Sequence, residues 1–438
     1  MAYYHPPPIV TPPPVPYQGP PPLPLECPPG NDYPTELFSF LEPAATLKKH
    51  GYVMDPLTDE EIKQKAKCRH CNQTIMNLTK HLQKTLQYRL HNPTPPPPAT
   101  AYDPLPTLLM PVGSGCYEAK QCTAPCNYHP GGFDKGARCF NCCGYTLAEA
   151  KWCVTNNMHE IRDYGQRELE DCYQFHMTPS VFNINNLSLR AAVAIDCEMG
   201  TAVTGDSELI RLTAIDYLTG EVLINNLVQP DQPMLHLNTR FSGVTFPQLN
   251  EAKKKKTCLM GKAGARHALW RFVGPYTALV GHGVNNDLRA LRWIHPTVID
   301  SFIIEWNIIQ EKKAAEEAVA VAAAAAAATI PVPAQEPEQQ IQQLATSLEK
   351  ASLAAEDVGG VPLPEETTEE PAEAAEAQPK KKEKKPKGSG DLSLKTLVKK
   401  YLGREIQMQG NKGHDSFEDA LAARDLVHCM VMKKLAEK

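Results

Sequence analysis

No apolar run in the 438 residues reaches membrane-spanning length, so a transmembrane helix and a membrane partner are excluded as expectations. The N-terminus, Met-Ala-Tyr-Tyr-His-Pro-Pro-Pro, lacks the charged and apolar regions of a secretory signal, and a soluble intracellular chain is expected. Net charge is also small: 45 Lys and Arg against 50 Asp and Glu leave −5. No global basic field announces nucleic acid, so any such binding must come from local patches. In an intracellular setting, the 14 cysteines point to metal ligation or free thiols before disulfides.

Proline is abundant, with 40 residues, and it clusters. Residues 1–32 read as a disordered Pro-rich tail, extended and solvated, with docking of protein partners as the functional alternative. Folding is expected from near Tyr33, and Thr58 with Glu61 forms a capping-box signature for a helix across 59–66. A second proline spacer follows at 92–98. Residues 33–175 are read as one Cys/His-rich region, residues 188–310 with 391–438 as a catalytic domain, and residues 311–390 as a low-complexity Ala/Glu/Lys-rich insertion.

That insertion opens with Glu-Lys-Lys-Ala-Ala-Glu-Glu-Ala and the alanine run Ala322 to Ala328, which suits an exposed helical extension. Its later part is acidic and Pro-containing, as disordered chains are. Loop-closure entropy grows slowly with length, so the domain can close around it. The terminal basic run, Lys380 to Lys387, reads as a nuclear import signal, a mobile phosphate-collecting arm or an inert solvated stretch.

Paired ligands recur between the spacer and the catalytic domain: Cys68-x2-Cys71, Cys126-x2-His129, Cys139-x2-Cys142-Cys143, then Cys153 and His159. A two-residue spacing presents both donors to one tetrahedral ion, so zinc is expected, with free buried cysteines as the alternative. The preferred partition is Cys68, Cys71, Cys126 and His129 on one ion, with Cys142 or Cys143, Cys153 and His159 on a second. Cys116, Cys122 and Cys139 are spare candidates, and His81 is a substitute ligand for the first site.

The catalytic signal is a set of acids and one histidine. In Ala192-Val-Ala-Ile-Asp-Cys-Glu-Met-Gly200 the strand alternation points Asp196 and Glu198 the same way and Cys197 the other. Two adjacent buried acids repel each other unless a hard cation such as Mg²⁺ lies between them. In Leu279-Val-Gly-His-Gly-Val-Asn-Asn-Asp287, an apolar strand breaks at two glycines and Asp287 falls in the first turn of the following helix. In Gly413-His-Asp-Ser-Phe-Glu-Asp419, Asp415 and Glu418 read as a capping pair, Asp419 lies in the first helical turn and His414 on its approach. Each element has an ordinary structural alternative: a strand-end acid, a dipole-complementing acid, a loop histidine.

In this order the elements resemble the three motifs of the DEDDh exonucleases: Asp-x-Glu, a mid-domain Asp, and His-x4-Asp. The strings at 208–216, 237–245, 295–301 and 393–407 are similar to the eukaryotic Rex-type RNA exonuclease branch. Cys-Asn-Tyr-His-Pro-Gly followed by Cys-Cys resembles zinc modules ahead of the nuclease domain in some Rex-type proteins, and more loosely the CHORD zinc fold.

The resemblance implies an α/β, ribonuclease-H-like fold: a mixed sheet flanked by helices, preceded by the small zinc-binding module. Strands are expected near 191–199, 208–217, 221–228, 277–280 and 297–300, and helices near 261–273 and 285–293. It further implies two Mg²⁺ or Mn²⁺ ions held by Asp196, Glu198, Asp287 and Asp419, with His414 activating water. The substrate is then RNA with a free 3′ end, cut to nucleoside 5′-monophosphates in the nucleus or also the cytoplasm, in the trimming of structured non-coding RNAs. Met199, Arg240, Phe241, His282 and Asn286 are the expected substrate contacts. Phe246 is a second stacking candidate, and Lys253 to Lys256 are expected in a loop beside the groove. DNA as substrate, and a scaffold with secondary nuclease activity, are the alternatives.

Overall fold

In the computed structural model the described residues are 22–28, 32–91, 121–122, 125–134, 136–149, 151–180, 188–328, 392–408, 410 and 413–438. Most of the Pro-rich tail, the 92–98 spacer, Cys116, the Lys380–Lys387 run and most of the insertion lie outside them. Packing divides the chain into two units, residues 1–305 with 391–438, and residues 306–390.

The first unit begins with helices α1 (Asp32–Phe38), α2 (Ala44–Lys49), α3 (Asp59–Lys63) and α4 (Ile75–His91). The capping box at α3 forms as expected: Thr58 Oγ1 accepts the Glu61 amide while Glu61 accepts the Thr58 amide. Short strands follow: β1 (Gln121–Cys122), β2 (Cys126–Tyr128), β3 (Phe133–Asp134), β4 (Cys139–Phe140), β5 (Val154–Asn156) and β6 (His159–Glu160). Ladders of two or three residues bury little apolar surface, so a region built from them needs metal or neighbouring structure to hold it. Helix α5 (Glu168–Tyr173) and strand β7 (His176–Met177) lead on to the main sheet.

Runs of small and β-branched residues make that sheet. Strands β8 (Ala192–Ala202), β9 (Ser207–Asp216) and β10 (Val222–Gln229) form an antiparallel meander. At the β9–β10 turn, Asp216 Oδ1 accepts the amides of Leu218 and Thr219, and Gly220 closes the turn at φ +76°. Strands β11 (Met234–His236), β12 (Leu259–Met260), β13 (Ala278–Gly281), β14 (Trp293–Ile294) and β15 (Val298–Asp300) come next. The sheet order is β12-β10-β9-β8-β13-β15, with β11 added antiparallel to β8. Because β13 runs parallel to both β8 and β15, the sheet is mixed.

Helices α6 (Thr239–Ser242), α7 (Phe246–Lys254), α8 (Gly261–Trp270) and α9 (Asn285–Ala290) connect these strands. Lys253 and Lys254 therefore sit in the last turn of α7, a correction to the expected loop, since the Thr245–Gln248 capping box starts a helix that runs through them. Helix α10 (Ser301–Ala328) is exposed over residues 310–322, in keeping with a solvated extension. Helices α11 (Leu394–Leu402) and α12 (Ser416–Ala436) complete the first unit, and α12 packs on β8 and β9.

The main core joins Val193, Ile195, Leu212, Leu279, Trp293 and Val298 with Leu47 and Tyr52 from the N-terminal stretch. Tyr33 adds a second tie, its hydroxyl 3.0 Å from that of Tyr217 and 2.7 Å from His428 Nδ1. Residues 22–28 also follow this domain: Leu25 donates its amide to the Leu218 carbonyl, and Arg424 donates to the Leu23 carbonyl.

Candidate active site and metal clusters

Strand β8 carries Asp196 and Glu198 on one face, while Cys197 turns into the core. Ligand oxygens of Asp196, Glu198 and Asp419 lie within 4.8 Å of one another, so the C-terminal motif meets the N-terminal one across the insertion. Asp287, on the first turn of α9, stands outside this tight triple. Its Oδ1 accepts the Cys197 amide at 2.9 Å, which fixes the carboxylate beside β8 between the two strand acids.

Burial, followed by the charges of Asp287, Asp419 and Glu198, pushes Asp196 well above the usual carboxylate range. Glu198 is pushed up to about 8 by burial and then by Asp419. Burial raises Asp287 to about 7 against its hydrogen bonds to Cys197, and Asp419 to about 6 against Gln407 and His414. Gathered acids that resist ionisation are what a site for hard cations looks like before the cation neutralises it. Oxygen donors within 4.8 Å also suit the coordination chemistry of Mg²⁺ or Mn²⁺.

His414 Nδ1 lies 3.6 Å from Asp419 Oδ2, with the side chain 43% exposed. Its amide donates to the Phe241 carbonyl, and Gly413, at φ +89°, lets its loop approach α6. A Cβ on Gly413 would stand 2.1 Å from the Gly243 nitrogen, so only glycine fits there. The expected Asp415–Glu418 capping pair is half made. Asp415 caps α12 through the Phe417 amide, whereas Glu418 turns away to accept the Gln407 amide.

Sequence reasoning missed two residues here. Arg211, opposite Glu198 in the β8–β9 ladder, lowers the pKa of both strand acids and lies 3.5 Å from Asp415. Period-two alternation from Glu198 across the hairpin was a signal that could have found it. Gln407 donates its side-chain amide to both oxygens of Asp419 at 3.1 Å, and no spacing rule marked it.

The expected substrate contacts divide. Phe241 is 61% exposed, with the Arg240 guanidinium 5.9 Å from its ring centroid, and Asn286 is exposed beside Asp287. Phe246 is 47% exposed at the start of α7. Met199 packs against the main core, half-buried. His282 is anchored through Nδ1 to the Ser301 hydroxyl at 3.0 Å, and that hydroxyl donates to the Gly281 carbonyl.

Two Cys/His clusters form among the described residues: Cys68, Cys71, Cys126 and His159, then His129, Cys142, Cys143 and Cys153. The two histidines are exchanged relative to the sequence expectation. Antiparallel pairing is the reason, because β2 and β5 pair Cys126 with Asn156 and Tyr128 with Val154. The start of β2 therefore meets the residues after β5, including His159, and its end meets Cys153. His81 and Cys139 belong to neither cluster, and the Cys122 side chain is outside the described set.

The clusters fit tetrahedral zinc. Zn–S bonds of about 2.3 Å imply sulfur–sulfur edges of about 3.8 Å. Cys68 to Cys126 is 3.7 Å, Cys142 to Cys153 is 3.5 Å and Cys142 to Cys143 is 3.8 Å, far longer than a disulfide. Each histidine turns Nδ1 toward a thiol, 3.3 Å for His159 to Cys71 and 3.4 Å for His129 to Cys143. His129 Nε2 donates to the Lys151 carbonyl at 2.8 Å, which orients the ring with Nδ1 toward the thiols, as an outer partner does.

A mixed, helix-flanked sheet with clustered acids on its central strand and on two helices is the arrangement expected from the sequence. RNA exonuclease 3 of Emericella nidulans is 30% identical over 322 residues, covering 68% of this chain and 38% of that protein. That is a longer stretch than residues 188–438 supply, so the similarity reaches N-terminal to the nuclease domain. RNA exonuclease 3 of Saccharomyces cerevisiae is 29% identical over 187 residues, covering 41% and 44% of the two chains. The chain spans less than half the length of these relatives. The Neurospora crassa Pan2 catalytic unit aligns with TM-score 0.33 and 16% identity over 67% of this chain and 39% of that one, too slight a likeness to carry an argument. No family model matches. The chain is thus similar to the RNA exonuclease 3 proteins over part of their length.

Proposed function

We propose that this chain is a metal-dependent 3′→5′ exoribonuclease that trims the 3′ ends of structured non-coding RNAs in the nucleus. The convergence of Asp196, Glu198 and Asp419, with Asp287 tied to the same strand, carries the reading. Two divalent cations held by these four carboxylates would lower the pKa of the attacking water and stabilise charge on the leaving 3′ oxygen.

The remaining work falls to side chains. His414, hinged on Gly413 beside Asp419, accepts the proton of the attacking water. Arg211 offsets the charge of Asp196 and Glu198 in the absence of cation. The exposed faces of Phe241 and Phe246 take the terminal bases, and Asn286 sits where a phosphate or ribose approaches Asp287. His282 serves as a positioning residue through Ser301 rather than a direct contact.

The Cys/His clusters act as two structural zinc sites, and the RNA exonuclease names of the relatives favour RNA over DNA. The deciding assay offers the full chain 3′-labelled RNA and DNA of one sequence with Mg²⁺. Label released as mononucleotide from RNA supports the reading. Preference for DNA, or cleavage that begins inside the strand, would overturn it.

A further inference from the structure

A cleft of about 580 Å³ lies between the two Cys/His clusters, reaching Cys71 and His159 on one side and His129 on the other. The nuclease chemistry makes no use of it. Its walls carry Tyr128, Phe140 and Trp152. These rings are fixed by their surroundings: His129 stacks on Phe140 at 3.7 Å and 9°, and Tyr128 stacks on His70 at 4.8 Å. The Trp152 ring tilts over His129 at 5.4 Å and is 57% exposed, a large apolar face for which the core has no need.

Helix α4 closes a further side through Leu78 and His81. Its sequence, IMNLTKHLQKTLQYRLH, includes Lys80, Lys84 and Arg89 and no acidic residue. Lys84 follows His81 at a spacing of three and is exposed, so it neighbours that cleft-lining residue on the helix surface. Glu160, next in sequence to the cleft residue His159, is engaged by Arg69 at 3.1 Å and by His70 at 3.4 Å. Fixed aromatic faces bordered by a basic helix without acids are what holding single-stranded nucleic acid without sequence preference requires.

We propose that this cleft is an accessory site for single-stranded RNA, with bases stacked on Trp152 and Tyr128 and phosphates against α4. The choice of RNA rests on the exoribonuclease reading. Charge complementarity favours it over a proline-rich peptide, which would use the aromatic rings but not the lysines.

The test reads binding without catalysis. The zinc-loaded full chain carrying Asp196→Ala is titrated into a 5′-labelled 12-nucleotide oligouridylate, and anisotropy is followed at several salt concentrations. Trp152→Ala is expected to weaken binding about tenfold, and Trp152→Phe to restore most of it. The pair Lys80→Gln with Lys84→Gln is expected to lower the salt slope by about 1.4. Zinc content, measured on every variant, guards against misfolding. Unchanged affinity in a zinc-replete Trp152→Ala protein overturns the proposal. So does binding of a peptide of residues 1–21 that is lost in Trp152→Ala yet leaves RNA affinity unchanged when the peptide saturates the protein. Absence of mononucleotide release by the wild type would count against the catalytic reading alone.

Discussion

The hydroxyl of Tyr52 donates to Oδ2 of Asp300 at 2.5 Å, across 248 residues of sequence. The same carboxylate accepts the amides of Gly283 and Val284 at 2.8 and 3.2 Å, the turn that launches α9 and hence Asp287. The N-terminal stretch thus braces the turn that carries Asp287. Asn285 donates to the His50 carbonyl and Arg289 to that of Gly51, on the same contact.

A fragment of residues 190–438 is therefore expected to be unstable and poorly active, since it lacks Leu47 and Tyr52 from the main core. Leu47→Ala in the full chain should cost about 2–5 kcal/mol. Tyr52→Phe, which keeps the ring, should cost about 1–2 kcal/mol. Urea melts of the three proteins check this. A fragment as stable and active as the full chain would refute the brace.

The exchanged histidines predict a pattern of zinc stoichiometry. Cys126→Ala with His159→Ala removes ligands of one cluster and should leave about one zinc per chain. Cys126→Ala with His129→Ala damages both clusters and should leave none tightly held. Elemental analysis after dialysis distinguishes the two, and the reverse order would restore the sequence-based partition.

Magnesium should stabilise the fold more at higher pH. Glu198 and Asp419 are raised to about 8 and about 6, so their contribution is fully present below about pH 4 and is lost as pH rises through those values. A cation that favours the ionised carboxylates reverses the loss. The gain in melting temperature on adding Mg²⁺, with zinc retained, is expected to grow from pH 6 to pH 8.5. A gain independent of pH would show that these carboxylates are not the binding site.

His414→Ala should lower kcat by about 10²–10⁴ with little change in KM. Its side chain is 43% exposed, so stability should be unaffected. Single-turnover assays over a range of RNA concentrations separate the two constants.

Much of this was legible in the sequence, for definite reasons. Strand alternation placed Asp196 and Glu198 together and Cys197 in the core, and glycines marked the turn before Asp287. The turn at 217–220 announced the β9–β10 hairpin, whose strands lie within a residue of expectation. What stayed hidden depends on three-dimensional pairing. Local spacing put Cys126 with His129, but antiparallel register between β2 and β5 carries Cys126 to His159. Tyr52 looked like part of a separate N-terminal region because no linear pattern ties it to Asp300. Gln407 reaches Asp419 from an αL backbone conformation, φ +56°, that neither helical nor strand periodicity anticipates.

The central claim is that the carboxylates on β8, α9 and α12 form one metal-dependent centre acting on RNA 3′ ends. Its most direct test is mononucleotide release from 3′-labelled RNA by the full chain and by its Asp196→Ala variant, side by side in Mg²⁺ or Mn²⁺. The account predicts nucleoside 5′-monophosphates from the wild type, with at least a thousandfold loss, about 4 kcal/mol of transition-state stabilisation, in a variant that keeps its zinc and its fold. Release by Asp196→Ala at the wild-type rate would contradict it.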